Sequence, residues 1–180
     1  MTDTLPALGE VVVDAASIRR RVAELAAAID EHYLGIERPL VLLCVLTGSL
    51  IFTADLARAM RTPLEIESIR VRSYGAGVVS SGVVSLNDCS LPSLHERDVL
   101  IVEDIVDSGA TISCLRDRLA QEGTRSVRLV ALLDKTSRRA HRIDVDWRGF
   151  DIPDHFVVGY GLDHAGRWRN LADVHLLRGV

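Results

Sequence analysis

Apolar positions change their period several times along this chain, and each change marks an element. A short apolar stretch at residues 11–13 leads to Asp14, a side chain suited to capping a helix. Ile18, Val22, Leu25, Ile29 and Tyr33 then recur at helical spacing, which predicts an amphipathic helix. Residues 39–46 are uniformly apolar after their proline, too short for a bilayer and too apolar for a half-exposed strand, so they predict a central strand buried on both faces. Thr47, Gly48 and Ser49 break that run. Helical spacing resumes at Leu50, Phe52, Ala54, Leu56 and Met60 and ends before Pro63, and residues 64–74 alternate as a strand does.

Residues 75–82 lack bulky anchors and predict a mobile hairpin loop, followed by a short strand near 83–86 and a polar connection to Asp98. The glycines Gly75 and Gly77 do not open a helix, so a dinucleotide-binding turn is not the reading there. An apolar strand at 99–102, a turn, a helix at about 110–122 stopped by Gly123, and a strand at 127–133 predict a parallel sheet. From Ile143 onward, strand signals at Val145, Trp147 and 156–160 alternate with turns at Gly149, Pro153 and Gly166. With no repeat, low-complexity tract or linker, residues 1–180 predict one domain, on which the N-terminal segment and about 143–180 fold as a hood.

Composition narrows this picture. The 180 residues are 48% hydrophobic and only 4% aromatic, which leaves the core to Val, Leu, Ile and Ala and favours an α/β fold. A formal net charge of -4 supplies no basic field, so no nucleic-acid partner is expected. Cys44, Cys89 and Cys114 are far apart and outside metal-ligand spacing, which fits reduced thiols. Neither an export leader nor a run of membrane-spanning length is visible, so a soluble, cytoplasmic chain without a membrane partner is expected.

The candidate chemistry concentrates in residues 99–111, where an apolar strand leads to Glu103, Asp104 and Asp107 and a small-residue turn opens a helix. That order places carboxylates at the carboxyl edge of a parallel sheet, the usual ligand crevice of such folds. Backbone N–H groups at Gly109, Ala110 and Thr111, with the hydroxyls of Ser108 and Thr111, would make a phosphate seat. The plainer alternative is an acidic turn that caps its helix.

These residues resemble the phosphoribosyl pyrophosphate motif of the type I phosphoribosyltransferases, in particular their hypoxanthine-guanine branch. The resemblance extends over nearly the whole chain. Residues 46–52 resemble the pyrophosphate loop of that family, Ser73 and Tyr74 its catalytic flexible loop, residues 133–135 its base-contacting lysine segment, and residues 149–160 its purine-binding hood. It implies a mainly parallel twisted sheet of about five strands flanked by helices, with a small hood. The implied reaction belongs to purine salvage. It transfers the 5-phosphoribosyl group of phosphoribosyl pyrophosphate to N9 of hypoxanthine or guanine, releasing pyrophosphate and forming IMP or GMP. Mg²⁺ is the implied cofactor, and a homodimer or homotetramer the implied assembly.

Carried over by position, Glu103 and Asp104 would hold the ribose hydroxyls directly or through Mg²⁺. Asp107 would be the general base near purine N7 and, with Ser108, Gly109, Ala110 and Thr111, would surround the 5'-phosphate. Thr47, Gly48 and Arg169 would meet pyrophosphate, with a cis peptide between Leu46 and Thr47. Lys135 would donate to purine O6, Phe156 would stack on the ring, the backbone of Val157 would meet the 2-position, and Asp163 would reach a second Mg²⁺ through water. Taken without the resemblance, Lys135, Asp163 and Arg169 are ordinary surface charges and Phe156 a core residue. The chain has Thr47 and Ala110 where the family often has lysine, which removes two cations from the pocket but no backbone donor.

Two other functions fit parts of the pattern. An RNA-binding regulator of the same fold would use the cationic cluster Arg138, Arg139, His141 and Arg142, but expects another residue than Asp at 107. A Mg²⁺-dependent phosphohydrolase would use the three acids and leave the hood without a role.

Overall fold

The computed structural model describes residues 6–73, 84–85, 93–136 and 143–179. The first strand, β1 (Ala7–Val13), is longer than the apolar stretch that predicts it because it pairs along the late segment Val174–Arg178. Asp14 then caps α1 (Ala15–His32), its carboxylate accepting from the Ser17 N–H at 2.8 Å. Next come β2 (Leu40–Leu46), α2 (Leu50–Ala59) and β3 (Leu64–Arg70). The alternating run predicted over 64–74 divides after Arg70. Arg72–Ser73 form β4, a two-residue strand paired antiparallel with β5 (Val84–Ser85).

Beyond them lie β6 (Asp98–Val106), α3 (Ala110–Gln121), β7 (Ser126–Asp134), β8 (Trp147–Asp151), β9 (Val157–Val158) and β10 (Val174–Arg178). The main sheet has five strands in the order β3-β2-β6-β7-β8, all parallel. Its middle strands are buried on both faces, as a parallel sheet under two helical layers requires. Leu40 and Leu42 of β2, with Leu100 and Val102 of β6, pack beside α1 and α2. Val41, Leu43, Val99 and Ile101 face the other way, onto Ile112, Leu115 and Leu119 of α3.

The hood is a three-stranded antiparallel sheet, β1-β10-β9, and so joins the two ends of the chain. Two sequence expectations are corrected here. Val145 stands outside any strand, and Gly149, expected in a turn, lies inside β8. A side chain at Gly149 would overlap the Leu132 carbonyl, so glycine there permits close backbone approach. Among the described residues no helix is long and apolar enough to cross a membrane. Cys44 and Cys114 are free thiols, and Cys89 lies outside the described residues.

Candidate active site

Strands β2, β6 and β7 end side by side, and the residues after them form a crevice. β6 continues through Glu103 and Asp104 to Val106, because β7 supplies ladder partners: Glu103 pairs with Ala131, Ile105 with Leu133 and Val106 with Asp134. Glu103 and Asp104 therefore sit within the last residues of the strand, where the sequence placed them just beyond its apolar run. After β2 the Leu46–Thr47 peptide is cis, as the resemblance implies. Gly48 is held so close to Asp104 that a Cβ there would overlap the carboxylate. Ser49 spends its hydroxyl on the Val45 carbonyl, at 2.7 Å, and makes no side-chain cap at the start of α2.

Thr47, Gly48, Glu103, Asp104, Thr111, Asp163 and Arg169 line one cavity of about 220 Å³, together with Val45, Leu46 and Val71. Lys135, Phe156 and Val157 stand outside this cavity. A larger space of about 600 Å³ lies between the far ends of α1 and α2 and contains none of the predicted site residues. The Asp30 carboxylate on its wall is engaged by the Arg61 and Thr62 backbones.

Burial dominates the electrostatics of the smaller cavity. Glu103 is 9% exposed, and its Oε2 has no hydrogen-bond partner. Desolvation, with Asp104 and Cys44 nearby, raises its carboxyl well above the usual range. Burial likewise pushes Asp104 up to about 6, a rise limited by the Ile105 N–H and by the charge of Arg169. Arg169 donates to the Gly161 carbonyl at 2.6 Å and pairs with Asp163 at 2.6 Å. The remaining Asp163 oxygen accepts from the Gly166 N–H. A buried and a half-buried carboxylate with an unmet acceptor form a donor set suited to a hard cation or sugar hydroxyls. Among the described residues, however, no group of three or more His, Cys, Asp or Glu side chains is assembled to hold a metal ion. Glu103, Asp104 and Asp163 thus share a cavity without forming a preassembled cage.

The turn after β6 carries Asp107, Ser108 and Gly109 into α3. Gly109 takes the N-cap position in the left-handed conformation, at φ 84°, and no side chain caps the helix. Ala110 N–H reaches Ser108 Oγ at 3.4 Å. The acidic-cap alternative is therefore not what this turn builds, and the helix starts without a side-chain cap for its first N–H groups.

Lys135 follows β7 as Asp107 follows β6. The Lys135 N–H donates to the Val106 carbonyl at 2.9 Å, so Asp107 and Lys135 leave neighbouring strands at the same level. Lys135 is 6% exposed, not a surface lysine, and its ammonium lies 3.4 Å from Asp154. Asp134, next to it, is fully buried against Arg148 at 2.7 Å. Phe156 is 39% exposed, not a core residue, and meets His164 edge-on with ring centres 5.4 Å apart. Val157 is buried and pairs with Leu176 in the hood. Ser73 lies in β4, while Tyr74 and the basic residues Arg138, Arg139, His141 and Arg142 lie outside the described residues.

Sequence reasoning missed Asp154 as the partner of Lys135, and it missed a bond between the Tyr160 hydroxyl and Asp55 at 2.6 Å. Both join residues far apart in the chain, and no spacing rule announces them.

The family model described as phosphoribosyl transferase domain matches residues 11–165. The chain belongs to that family. It is 42% identical over 162 residues to the hypoxanthine phosphoribosyltransferase of Salmonella typhimurium, covering 90% of this chain and 91% of that protein. It is 43% identical over 171 residues to the hypoxanthine-guanine phosphoribosyltransferase of Mycobacterium avium, covering 93% and 84% of the two. A crystal structure of a hypoxanthine phosphoribosyltransferase from Staphylococcus aureus superposes with a TM-score of 0.89 at 37% identity, covering 95% of this chain and 92% of that one. Family membership and the observed sheet agree: the fold is that of the type I phosphoribosyltransferases.

Proposed function

We infer that this chain is a purine-salvage enzyme that transfers the 5-phosphoribosyl group of phosphoribosyl pyrophosphate to N9 of hypoxanthine or guanine, releasing pyrophosphate and forming IMP or GMP. The observation that carries the choice of base is the placement of Asp107 and Lys135 at equal height just beyond adjacent strands. A 6-oxopurine presents N7 and O6 on one edge, so one acceptor and one donor side by side are its complement. Adenine presents an amino group where Lys135 needs an acceptor. The half-exposed Phe156 ring supplies a face for stacking.

In this reaction N9 attacks C1 of the ribose as the bond to pyrophosphate breaks. The proton carried by the imidazole ring of the purine passes to the Asp107 carboxylate, which becomes the neutral acid. Backbone donors from Ser108 to Thr111 hold the 5'-phosphate, Glu103 and Asp104 hold the ribose hydroxyls, and Thr47, Gly48 and Arg169 receive pyrophosphate. Mg²⁺, when bound, neutralises charge that develops on the leaving pyrophosphate. Glu103 and Asp104 would hold it, with Asp163 reached through water. Among the described residues no three-carboxylate cage is assembled, so oxygens of the substrate would complete the coordination of such an ion. The exposed Leu50 and Ile66, the latter on the edge strand β3, suit association of copies into a dimer or tetramer, and we propose the cytoplasm as its location.

A panel of bases with phosphoribosyl pyrophosphate and Mg²⁺ tests this reading. Hypoxanthine or guanine turns over and adenine does not, and adenine turnover at a comparable rate overturns the assignment. In the same assay, chelation stops turnover and added Mg²⁺ restores it.

A further inference from the structure

The hood and the pyrophosphate loop meet backbone to backbone. Gly161, at φ 101°, lies so close to Gly48 that a Cβ on Gly161 would overlap the Gly48 carbonyl oxygen. The hood segment beyond Gly161 carries Asp163 and Arg169, and the Gly161 N–H donates to the Arg169 carbonyl at 2.9 Å. With no side chain between the two backbones, their spacing has to be set from beside the contact. One residue before Gly161, the Tyr160 hydroxyl donates to Asp55 Oδ2 at 2.6 Å. Asp55 belongs to α2, which continues directly from the loop. Tyr160 is 6% exposed, and burial followed by the Asp55 carboxylate raises its phenol above the usual range, so it stays a donor.

We propose that the Tyr160–Asp55 hydrogen bond is the positioning contact that sets Asp163 and Arg169 at their working distance from the pyrophosphate loop, making both residues determinants of phosphoribosyl pyrophosphate affinity. The proposal rests on the assignment of Thr47, Gly48 and Arg169 to pyrophosphate given above. The geometry argues for positioning over bulk stability. Asp55 keeps Arg58 as an ion-pair partner and remains partly exposed, so removing the phenolic hydroxyl strands no buried charge. What is lost is a directional, charge-assisted bond between residues 105 positions apart.

The test compares Tyr160→Phe, Asp55→Ala and Asp55→Asn in the full chain, with kcat, both KM values and calorimetric affinity for phosphoribosyl pyrophosphate in Mg²⁺. Tyr160→Phe and Asp55→Ala weaken phosphoribosyl pyrophosphate by about tenfold, as expected for one lost hydrogen bond to a charged group, while KM for hypoxanthine stays within about twofold. Asp55→Asn keeps an oxygen that accepts from the phenol and stays within about threefold of the parent. The double variant Tyr160→Phe/Asp55→Ala is no weaker than either single one. Should Tyr160→Phe fold poorly, the comparison of Asp55→Asn with Asp55→Ala carries the test. Unchanged phosphoribosyl pyrophosphate affinity, an equal rise in both KM values, or an Asp55→Asn variant as weak as Asp55→Ala overturns the proposal. A parent chain that fails to convert hypoxanthine defeats the functional reading instead, since that assay involves no variant.

Discussion

At the scale of single residues, Asp107 and Lys135 show how a strand end converts backbone register into chemistry. If Asp107 only held its turn, Asp107→Asn would be nearly silent, because the amide keeps size and one acceptor. As the proton acceptor it cannot be replaced by an amide, and turnover falls by about 10²–10⁴-fold while phosphoribosyl pyrophosphate affinity stays near the parent value. Steady-state kinetics beside calorimetry separates these outcomes, and turnover within about threefold of the parent sinks the general-base role. The acids were legible in the sequence because they close an apolar strand run, whereas Lys135 was marked only by the family resemblance. Asp154 was not legible, since its proximity to Lys135 depends on how the segment after β8 returns over the sheet. Burial of Lys135, which lies beside Asp154, and exposure of Phe156 also reverse what residue type alone suggests.

At the scale of elements, the start of α3 depends on a backbone that only glycine adopts with ease. Gly109→Val places a β-branched side chain at a left-handed φ, a strain of about 1–3 kcal/mol, and crowds the phosphate seat. The variant folds, as circular dichroism will report, and its KM for phosphoribosyl pyrophosphate rises at least about tenfold. Unchanged kinetics would mean that the phosphate binds elsewhere. Helices α1, α2 and α3 and the central strands were readable from periodicity, because their burial is one-sided or complete and the pattern follows. Strand β10 was not readable: Val174–Arg178 lacks clean alternation and becomes a strand by lying between β1 and β9. The extension of β6 through two acids has the same cause, a neighbouring strand whose ladder outweighs local preference.

At the scale of the whole molecule, one contribution to stability lies at the end of the sheet away from the crevice, where Asp98 at the start of β6 meets Arg125 and the first residue of β7, Ser126. Its hydrogen bond with Arg125, then that with Ser126, holds the Asp98 carboxyl below the usual range. A carboxyl depressed in the folded state adds stability above its unfolded pKa of about 3.9 and loses it as pH falls through the folded value. Asp98→Asn is therefore less stable than the parent at neutral pH, by about 1 kcal/mol or less because Arg125 is half-exposed and screened. Urea midpoints converge as pH drops below about 4, and a difference that persists there refutes the ionic origin. The main sheet itself divides the core, with Leu100 and Val102 on one side and Val99 and Ile101 on the other. The crevice acids inherit their aim from that division, and this gives the fold a rule of parity. Excising one residue from the middle of β6 would exchange its two faces. Excising two would restore every face yet draw Glu103 and Asp104 back by about 6.6 Å, so the length of the strand is itself part of the candidate site.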